Sequence, residues 1–486
     1  VLGEPAGHVR VRGLFLAGLG VVYLCAFASL WVQIHGLIGE NGIAPVGETL
    51  DWVREHGGSL LQFPTLLRID GSDRALDVLC GGGVVLSIAL ILGFARLPCL
   101  VLLWAFYLSL FTAGLMFLSF QWDTLLLESG FLAIFLAPRS LTPWGARGHE
   151  ASILGIWAQR YLIFRLMFAS GVVKLTSGDR SWWPDLTALS YHYHTQPLPA
   201  WTSWYADHLP MWFHKATVGG TFLVELVVPF LIVLGRIPRL IAFVCFVGLQ
   251  LSIGLTGNYG FFNLLTAVIS LTLLDDGWLR RLPRIGKPVE AAPMSRTAAV
   301  LRRIALVPLL LLATLEFSAG LGWEPWPKAV ETARAKIDRL RLTSSYGLFR
   351  VMTKERPEIL VEGSNDGQEW KPYAFKWKPG ALDRAPSFVE PHMPRLDWQM
   401  WFAALSSSES PRTWWFTSFL DRLLEGEPTV LALLGENPFP DAPPHYIRAT
   451  LYRYEFTTAE ERRATGAWWK RTYLGAYAPV RWLRPG

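Results

Sequence analysis

Eight stretches of this chain are apolar over the length of a bilayer crossing, and no soluble fold has a use for so many. They run 14–31, 76–94, 98–120, 152–173, 215–235, 237–255, 258–274 and 301–321, with a shorter one at 122–137. A hydrocarbon core about 30 Å thick takes roughly 20 residues of helix, and only a helix or a closed barrel satisfies its own backbone there. The expectation is a polytopic α-helical membrane bundle of about nine spans. Hydrophobic residues make up 51% of the 486, too many for one soluble domain of that length.

Basic residues set the orientation. With the amino terminus inside, the inner segments carry Arg10, Arg12, Arg96, Arg139, Arg147, Arg236, Arg239, Arg280, Arg281, Arg284, Lys287, Arg296, Arg302 and Arg303, 14 in all, against Arg54, Arg68, Arg74 and Arg180 outside. Arginine and lysine accumulate on the cytoplasmic side. After nine crossings, everything beyond residue 321 is therefore expected outside. The first apolar run follows Arg10 and Arg12 and lacks a small-residue cleavage site, which reads as a retained span. The net charge of +6 comes mainly from the inner loops, so no nucleic-acid partner is needed to explain it.

All four cysteines (Cys25, Cys80, Cys99, Cys245) sit in or beside apolar spans, leaving the outward region to fold without disulfides. No Asn-x-Ser/Thr acceptor occurs, and arginine outnumbers lysine 35 to 10. Both features favour a bacterial inner membrane with a periplasmic carboxy-terminal domain, the endoplasmic reticulum membrane being the eukaryotic counterpart.

Charge inside the spans is the main functional lead. Arg165 lies near the middle of one apolar helix and Lys174 near its end, while Asp123, Glu128 and Glu225 are acids in neighbouring spans. Ionisable groups in hydrocarbon mark functional sites or are paired with one another. From Asp123 to Ala137 is 15 residues, about 22 Å of helix, so that segment spans only if its carboxylates are submerged. These charges suggest a polar chamber in the outer half of the bundle, roofed by the loop 175–214. Purely structural ion pairs are the alternative, and Lys174 at a helix end also has the option of snorkelling to the headgroups.

The roof contains Trp182, Trp183, Trp201, Trp204 and Trp212, suited to the headgroup layer. His192 and His194 alternate with Tyr191 and Tyr193, so in an extended strand both rings would share a face. Two histidines without a third ligand make a weak metal signature, and no metal is assigned. Between two later spans, Leu255-Thr-Gly-Asn258-Tyr-Gly-Phe-Phe-Asn263 is a tight turn whose amides are expected to bond backbone. Gly81-Gly82-Gly83 calls for close approach by a neighbour. The outer segment 36–75 holds an amphipathic piece near Leu50–His56, either lying on the bilayer or packed as an ordinary loop.

From Gly322 the composition changes to 165 residues with 23 basic and 20 acidic groups. Ile359–Gly363 and Glu369–Trp377 read as two strands around Asp366-Gly367, with Tyr373, Phe375 and Trp377 on one face. Helices are expected at Trp398–Leu405 and Trp414–Glu425, and a last strand at Tyr446–Phe456 ends the core. The chain thus divides into a transmembrane domain, 1–321, and an exoplasmic β-sandwich-like domain with helical insertions, 322–486. Eleven of the 23 tryptophans fall in the second part, which suits an exposed apolar patch that takes partners. No nucleophile elbow, phosphate loop, His-Glu-x-x-His helix or Cys-x-x-Cys occurs.

Several motifs carry a resemblance. Gln121-Trp-Asp-Thr-Leu-Leu-Leu-Glu128, Arg165-Leu-Met, Gly171-Val-Val-Lys174, His192-Tyr-His-Thr-Gln-Pro-Leu-Pro199, Trp212-Phe-His214 and Thr256-Gly-Asn258 resemble the membrane half of lipase maturation factors. Tyr346-Gly-Leu-Phe, Thr353-Lys-Glu-Arg356, Phe375-Lys-Trp-Lys-Pro-Gly380, Arg395-Leu-Asp-Trp-Gln-Met-Trp-Phe-Ala-Ala404, Asn437-Pro-Phe439 and Trp468-Trp469 are similar to that family's exoplasmic domain. The chain departs from the family pattern at His194, where an acidic residue is expected. The resemblance implies a membrane-embedded factor that helps lipases reach their assembled state. Gly171-Val-Val-Lys174-Leu is also faintly similar to the vitamin K-dependent γ-glutamyl carboxylase superfamily, which would make Lys174 a base.

Two function classes follow. One is a non-catalytic folding and assembly factor for an immature secreted lipase or other exported client, with membrane lipids as surroundings and no cofactor. The other is a membrane enzyme acting on a quinone or bound lipid, with Lys174 as base and Asp123, Glu128, Arg165, His192, His194, Glu225 and Asn258 around the chamber.

Overall fold

The computed structural model describes residues 7–143, 150–279, 296–320, 322 and 327–483. Arg147, the basic group from Arg280 to Lys287, the linker prolines Pro283, Pro288 and Pro293, and most of the stretch around the expected boundary at 321 lie outside the described residues.

The first half is helical: α1 Val9–Trp31, α2 Val46–Glu55, α3 Asp73–Leu92, α4 Arg96–Ala113, α5 Gln121–Ile134, α6 Ile153–Thr176, α7 Ala188–Thr195, α8 Trp201–Asp207, α9 Met211–Phe222, α10 Arg236–Thr256, α11 Phe262–Ser270 and α12 Arg296–Gly320. Among the described residues, five helices are long and apolar enough to cross a membrane: α1, α3, α4, the α9 rod continued to Ile232, and α10. The other expected spans are marked by charge or by length. α6 has 24 residues but carries Arg160, Arg165 and Lys174, while α5 has 14 residues and α11 has nine. Boundaries follow local chemistry: Ser72 and Ser152 cap α3 and α6 through their hydroxyls, and Gly93 ends α3 at φ 87°, a conformation open to a residue without a side chain.

α1 starts beside Asp276, whose Oδ1 accepts the Arg10 and Val11 amides at 3.0 Å, and ends beside Met393, whose carbonyl accepts from Gln33 at 2.8 Å. The arginine-bearing end of α1 and the carboxy-terminal region are therefore at opposite ends of the same helix. Gly81, Gly82 and Gly83 do admit neighbours, though the visitors are rings rather than a backbone: Trp31 and Phe106 lie 3.0 Å from where Cβ atoms on Gly81 and Gly82 would stand, and a Cβ on Gly83 would collide with Phe27.

The segment 36–75 is a packed loop. α2 buries Val46, Leu50 and Val53, and its approach is held by the Ser418 hydroxyl on the Ile43 carbonyl at 2.6 Å and Arg422 on that of Gly42 at 3.1 Å.

After α13 (Lys328–Asp338) the chain forms strands β1 Arg356–Ser364, β2 Lys371–Pro372, β3 Ala374–Phe375, β4 Leu434–Glu436, β5 Tyr446–Phe456 and β6 Trp469–Trp482, with helices α14 Arg395–Ala404 and α15 Trp414–Glu425 between them. An antiparallel sheet of order β2-β1-β5-β6 is the main element, α14 packing on β1 and α15 on β5. The second sheet that a sandwich requires amounts to the two-stranded ladder β3-β4 among the described residues. Tyr373 and Phe375 are buried as their alternation predicts. The core does not end at β5: β6 adds 14 residues, pairing Trp469 with Phe456 and Trp482 with Tyr446.

Gly83→Ala is expected to lower stability by ~1–3 kcal/mol through overpacking against Phe27. Gly13→Ala, which meets nothing within 4 Å, provides the control, with thermal unfolding in detergent as the measurement.

Candidate functional site

The eight chamber residues do not share one space; they resolve into separate clusters. Asp123 and Arg395 form the first, at 2.6 and 2.8 Å in a bidentate pair with both side chains buried. Asp123 stands in the first turn of α5, where its position also lets it take the Tyr107 hydroxyl at 2.5 Å and the Phe120 amide at 3.4 Å. Arg395 adds a bond to the Phe117 carbonyl at 3.0 Å. A carboxylate so enclosed survives only because planar guanidinium geometry matches both of its oxygens.

Glu128, a turn and a half further along α5, pairs with Arg165 of α6, and both are buried. Tyr346 donates its hydroxyl to the second Glu128 oxygen at 2.6 Å, and Arg165 reaches the Ser344 carbonyl at 3.1 Å. Two of the three clusters thus draw partners from the carboxy-terminal region.

The third cluster is Lys174 with Glu225. The ammonium meets both carboxylate oxygens, at 2.7 and 2.8 Å, and the Ser170 carbonyl at 3.2 Å, which commits its three hydrogens. Glu225 lies in a π-type turn, Leu223–Val227, followed by Pro229, which has no amide to return to the Glu225 carbonyl. This pair borders a cavity of ≈ 120 Å³ roofed by Trp182 and also lined by His192, Tyr193, Tyr259 and Phe349. A second void of ≈ 70 Å³ shares Lys174, Glu225, Tyr259 and Phe349.

His192 and His194 are helical, on α7, rather than extended, because the 188–195 segment closes a hydrogen-bonded end with the Gln196 amide on the His192 carbonyl at 2.9 Å. Two positions apart on a helix, the rings diverge. His192 Nε2 lies 3.0 Å from the Tyr259 hydroxyl, and His194 Nδ1 lies 2.7 Å from Asp207. Burial and the Lys174 charge hold His192 down, at about 4. Among the described residues no group of three His, Cys, Asp or Glu gathers as metal ligands would.

Asn258 bonds backbone on two segments distant in sequence. Its Nδ2 donates to Leu198 at 3.1 Å and Ser387 at 2.8 Å, and its Oδ1 accepts the Val389 amide at 2.7 Å. Beside it, Glu390 accepts the Tyr259 amide at 2.5 Å and Asn263 Nδ2 at 2.9 Å. Burial outweighs those donors and pushes the Glu390 carboxyl up to about 7.

Both halves of the chain match lipase maturation factor models: the transmembrane domain over residues 10–281 and the C-terminal domain over 342–479. The chain belongs to the lipase maturation factor family. It is 37% identical to lipase maturation factor 2 of Gallus gallus over 99% of its length and 82% of that protein, and 38% identical to the Homo sapiens form over 98% and 83%. Similarity to lipase maturation factor 1 of Homo sapiens is 34%, over 98% of this chain and 89% of that one. No solved structure matches.

In this member of the lipase maturation factor family, the partners that sequence reasoning missed are Arg395, Tyr346 and Arg356. Arg356 opens β1 and donates to the carbonyls of His194 at 3.0 Å, Gln196, and Pro197 at 2.9 Å, while pairing with Glu358 at 2.6 Å. It thereby joins the Thr353–Arg356 and His192–Pro199 motifs, one from each half. The available clue was the acids themselves: a carboxylate set in an apolar helix demands a partner, and for Asp123 that partner is Arg395 from the other half of the chain.

Arg395→Met is expected to remove ~3–5 kcal/mol by stranding Asp123 in a dry site, and Asp123→Leu with Arg395→Met to restore at least half of that, measured by thermal unfolding. Glu390 gives a pH signature. A carboxyl raised to about 7 in the folded protein from 4.5 unfolded stabilises fully below 4.5, and that stabilisation is lost as pH rises through 7. The melting temperature should therefore fall between pH 5 and pH 8, by up to about 3 kcal/mol in free energy, and Glu390→Gln should flatten that slope.

Proposed function

We propose that this chain is an integral membrane maturation factor that receives an immature exported lipase, or a related secreted enzyme, on the outward face of its carboxy-terminal domain, residues 322–486. It crosses the membrane nine times, with 1–321 as the transmembrane domain. The arginine-rich turns are cytoplasmic and the second domain sits where exported proteins fold. That compartment is the periplasm in a bacterium and the lumen of the endoplasmic reticulum in a eukaryote. The names of its relatives support the lipase client, and the distribution of arginine supports the orientation.

The observation that carries the reading is the outer edge of β6. It closes the sheet order β2-β1-β5-β6 and runs 14 residues, longer than the short edge strands that soluble sheets favour. Tyr473, Leu474, Val480 and Trp482 on it are exposed. Free backbone donors and acceptors beside apolar side chains are what an extended, unfolded segment of a client can join as a further strand.

The carboxy-terminal region cannot simply be deleted to test this, because Asp123 and Glu128 would lose partners and the helical half would fail with it. Lys174→Met likewise strands Glu225. The discriminating change is on the surface. Leu474→Lys should reduce maturation of a co-expressed lipase several-fold, read as secreted activity, while thermal stability shifts by no more than ~0.5 kcal/mol. Wild-type maturation by Leu474→Lys would sink the assignment of this edge.

A further inference from the structure

The cavity beside Lys174 and Glu225 has a polarity that selects a ligand. The Thr217 and Thr221 hydroxyls donate to carbonyls four residues back on their helix, at 2.8 and 2.9 Å, and Ser252 and Thr256 do the same on theirs, at 2.9 and 3.0 Å. Their hydrogens are spent and their oxygens retain lone pairs. Lys174 has no hydrogen left, since Glu225 and the Ser170 carbonyl take all three. Tyr259 donates to Gln196 Oε1 at 2.7 Å, so the His192 nitrogen 3.0 Å from the same oxygen must be the donor. That fixes the tautomer and leaves His192 Nδ1 as an acceptor. Acceptors dominate this lining, with Tyr193 bringing a hydroxyl that both donates and accepts.

Such a wall repels an anion and offers no unbalanced charge to a cation, because Lys174 and Glu225 neutralise each other. It suits a neutral group that brings a hydroxyl donor. The route in is from the lipid side. Thr217 with Thr221 on α9, and Ser252 with Thr256 on α10, are i,i+4 pairs flanking one cleft. Their two helices are the least enclosed of the five apolar rods, with 28% and 17% of residues buried. Around the cleft the outer faces are apolar, with Leu223, Val227, Leu251 and Leu255 all exposed. The π-type turn that aims Glu225 inward at this point is a distortion that recurs at binding sites. At ≈ 120 Å³ the space far exceeds the ~10–15 Å³ that one water requires.

We propose that this cavity binds the glycerol head of a neutral lipid of the diacylglycerol class, its one free hydroxyl donating into the group of acceptor oxygens on Thr221, Ser252 and Thr256 and its acyl chains leaving between α9 and α10. The Lys174–Glu225 pair forms the floor and holds the polar lining in register, and Trp182 closes the top.

The test uses the full chain in phosphatidylcholine nanodiscs with dioleoylglycerol, and with dioleoyl phosphatidic acid as the anionic counterpart of the same chains. Dioleoylglycerol should raise the melting temperature in a saturable way, phosphatidic acid should not, and a photoactivatable diacylglycerol should label peptides from 211–232 and 236–256. Thr221→Val with Thr256→Val, which removes acceptor oxygens at nearly constant shape, should weaken diacylglycerol binding at least fivefold. Should that double variant fold poorly, Ser252→Ala alone should still weaken it at least twofold. Equal stabilisation by phosphatidic acid, labelling outside those two segments, or undiminished binding by the hydroxyl-free variants would overturn the proposal.

Discussion

A charge withdrawn from water must be met by an opposite charge or a full set of donors, and in this protein the partners come from the far end of the chain. Asp123 is satisfied by Arg395, and the Glu128–Arg165 pair is completed by Tyr346 and the Ser344 carbonyl. Asn258 and Arg356 extend the same seam through backbone groups. Helical half and carboxy-terminal region are consequently one folding unit in energetic terms, because separating them strips Asp123 of its cation and Glu128 of the Tyr346 hydroxyl.

The seam also explains how loops so rich in glycine and proline hold a fixed shape. Gln196 donates to the Thr256 carbonyl at 2.7 Å while accepting from Tyr259, and Arg356 grips the carbonyls of His194, Gln196 and Pro197 in the same short stretch. Each polar side chain serves two segments distant in sequence. Trp182 does likewise, its indole donating to the Phe349 carbonyl at 2.9 Å above the Lys174–Glu225 cavity. Roof and floor are therefore positioned by one network.

Much of this was legible beforehand, for reasons specific to each element. Long apolar runs announce helices whatever surrounds them, and the β1 and β5 segments alternated clearly enough to read as strands. The buried acids were visible as anomalies in apolar helices. Their partners were not, since Arg395 and Arg356 look like ordinary surface arginines until tertiary structure brings them 272 and 162 residues back along the chain. His192 and His194 would share a face only in an extended conformation, and the segment Ala188–Thr195 is helical, so the alternation of Tyr and His does not bring the two rings together. β6 escaped notice because its exposed edge carries arginine, lysine, glycine and proline, which dilute strand character.

Biosynthesis runs from one terminus to the other, and Asp123 precedes Arg395 by 272 residues. At about 5–20 residues per second, a ribosome needs roughly 15–50 seconds to bridge that interval. Throughout it, the nascent helices hold a solitary aspartate, either protonated or turned toward water. Insertion and final closure of the bundle are thus separate events in time, the second waiting on translation of the region that will cap it.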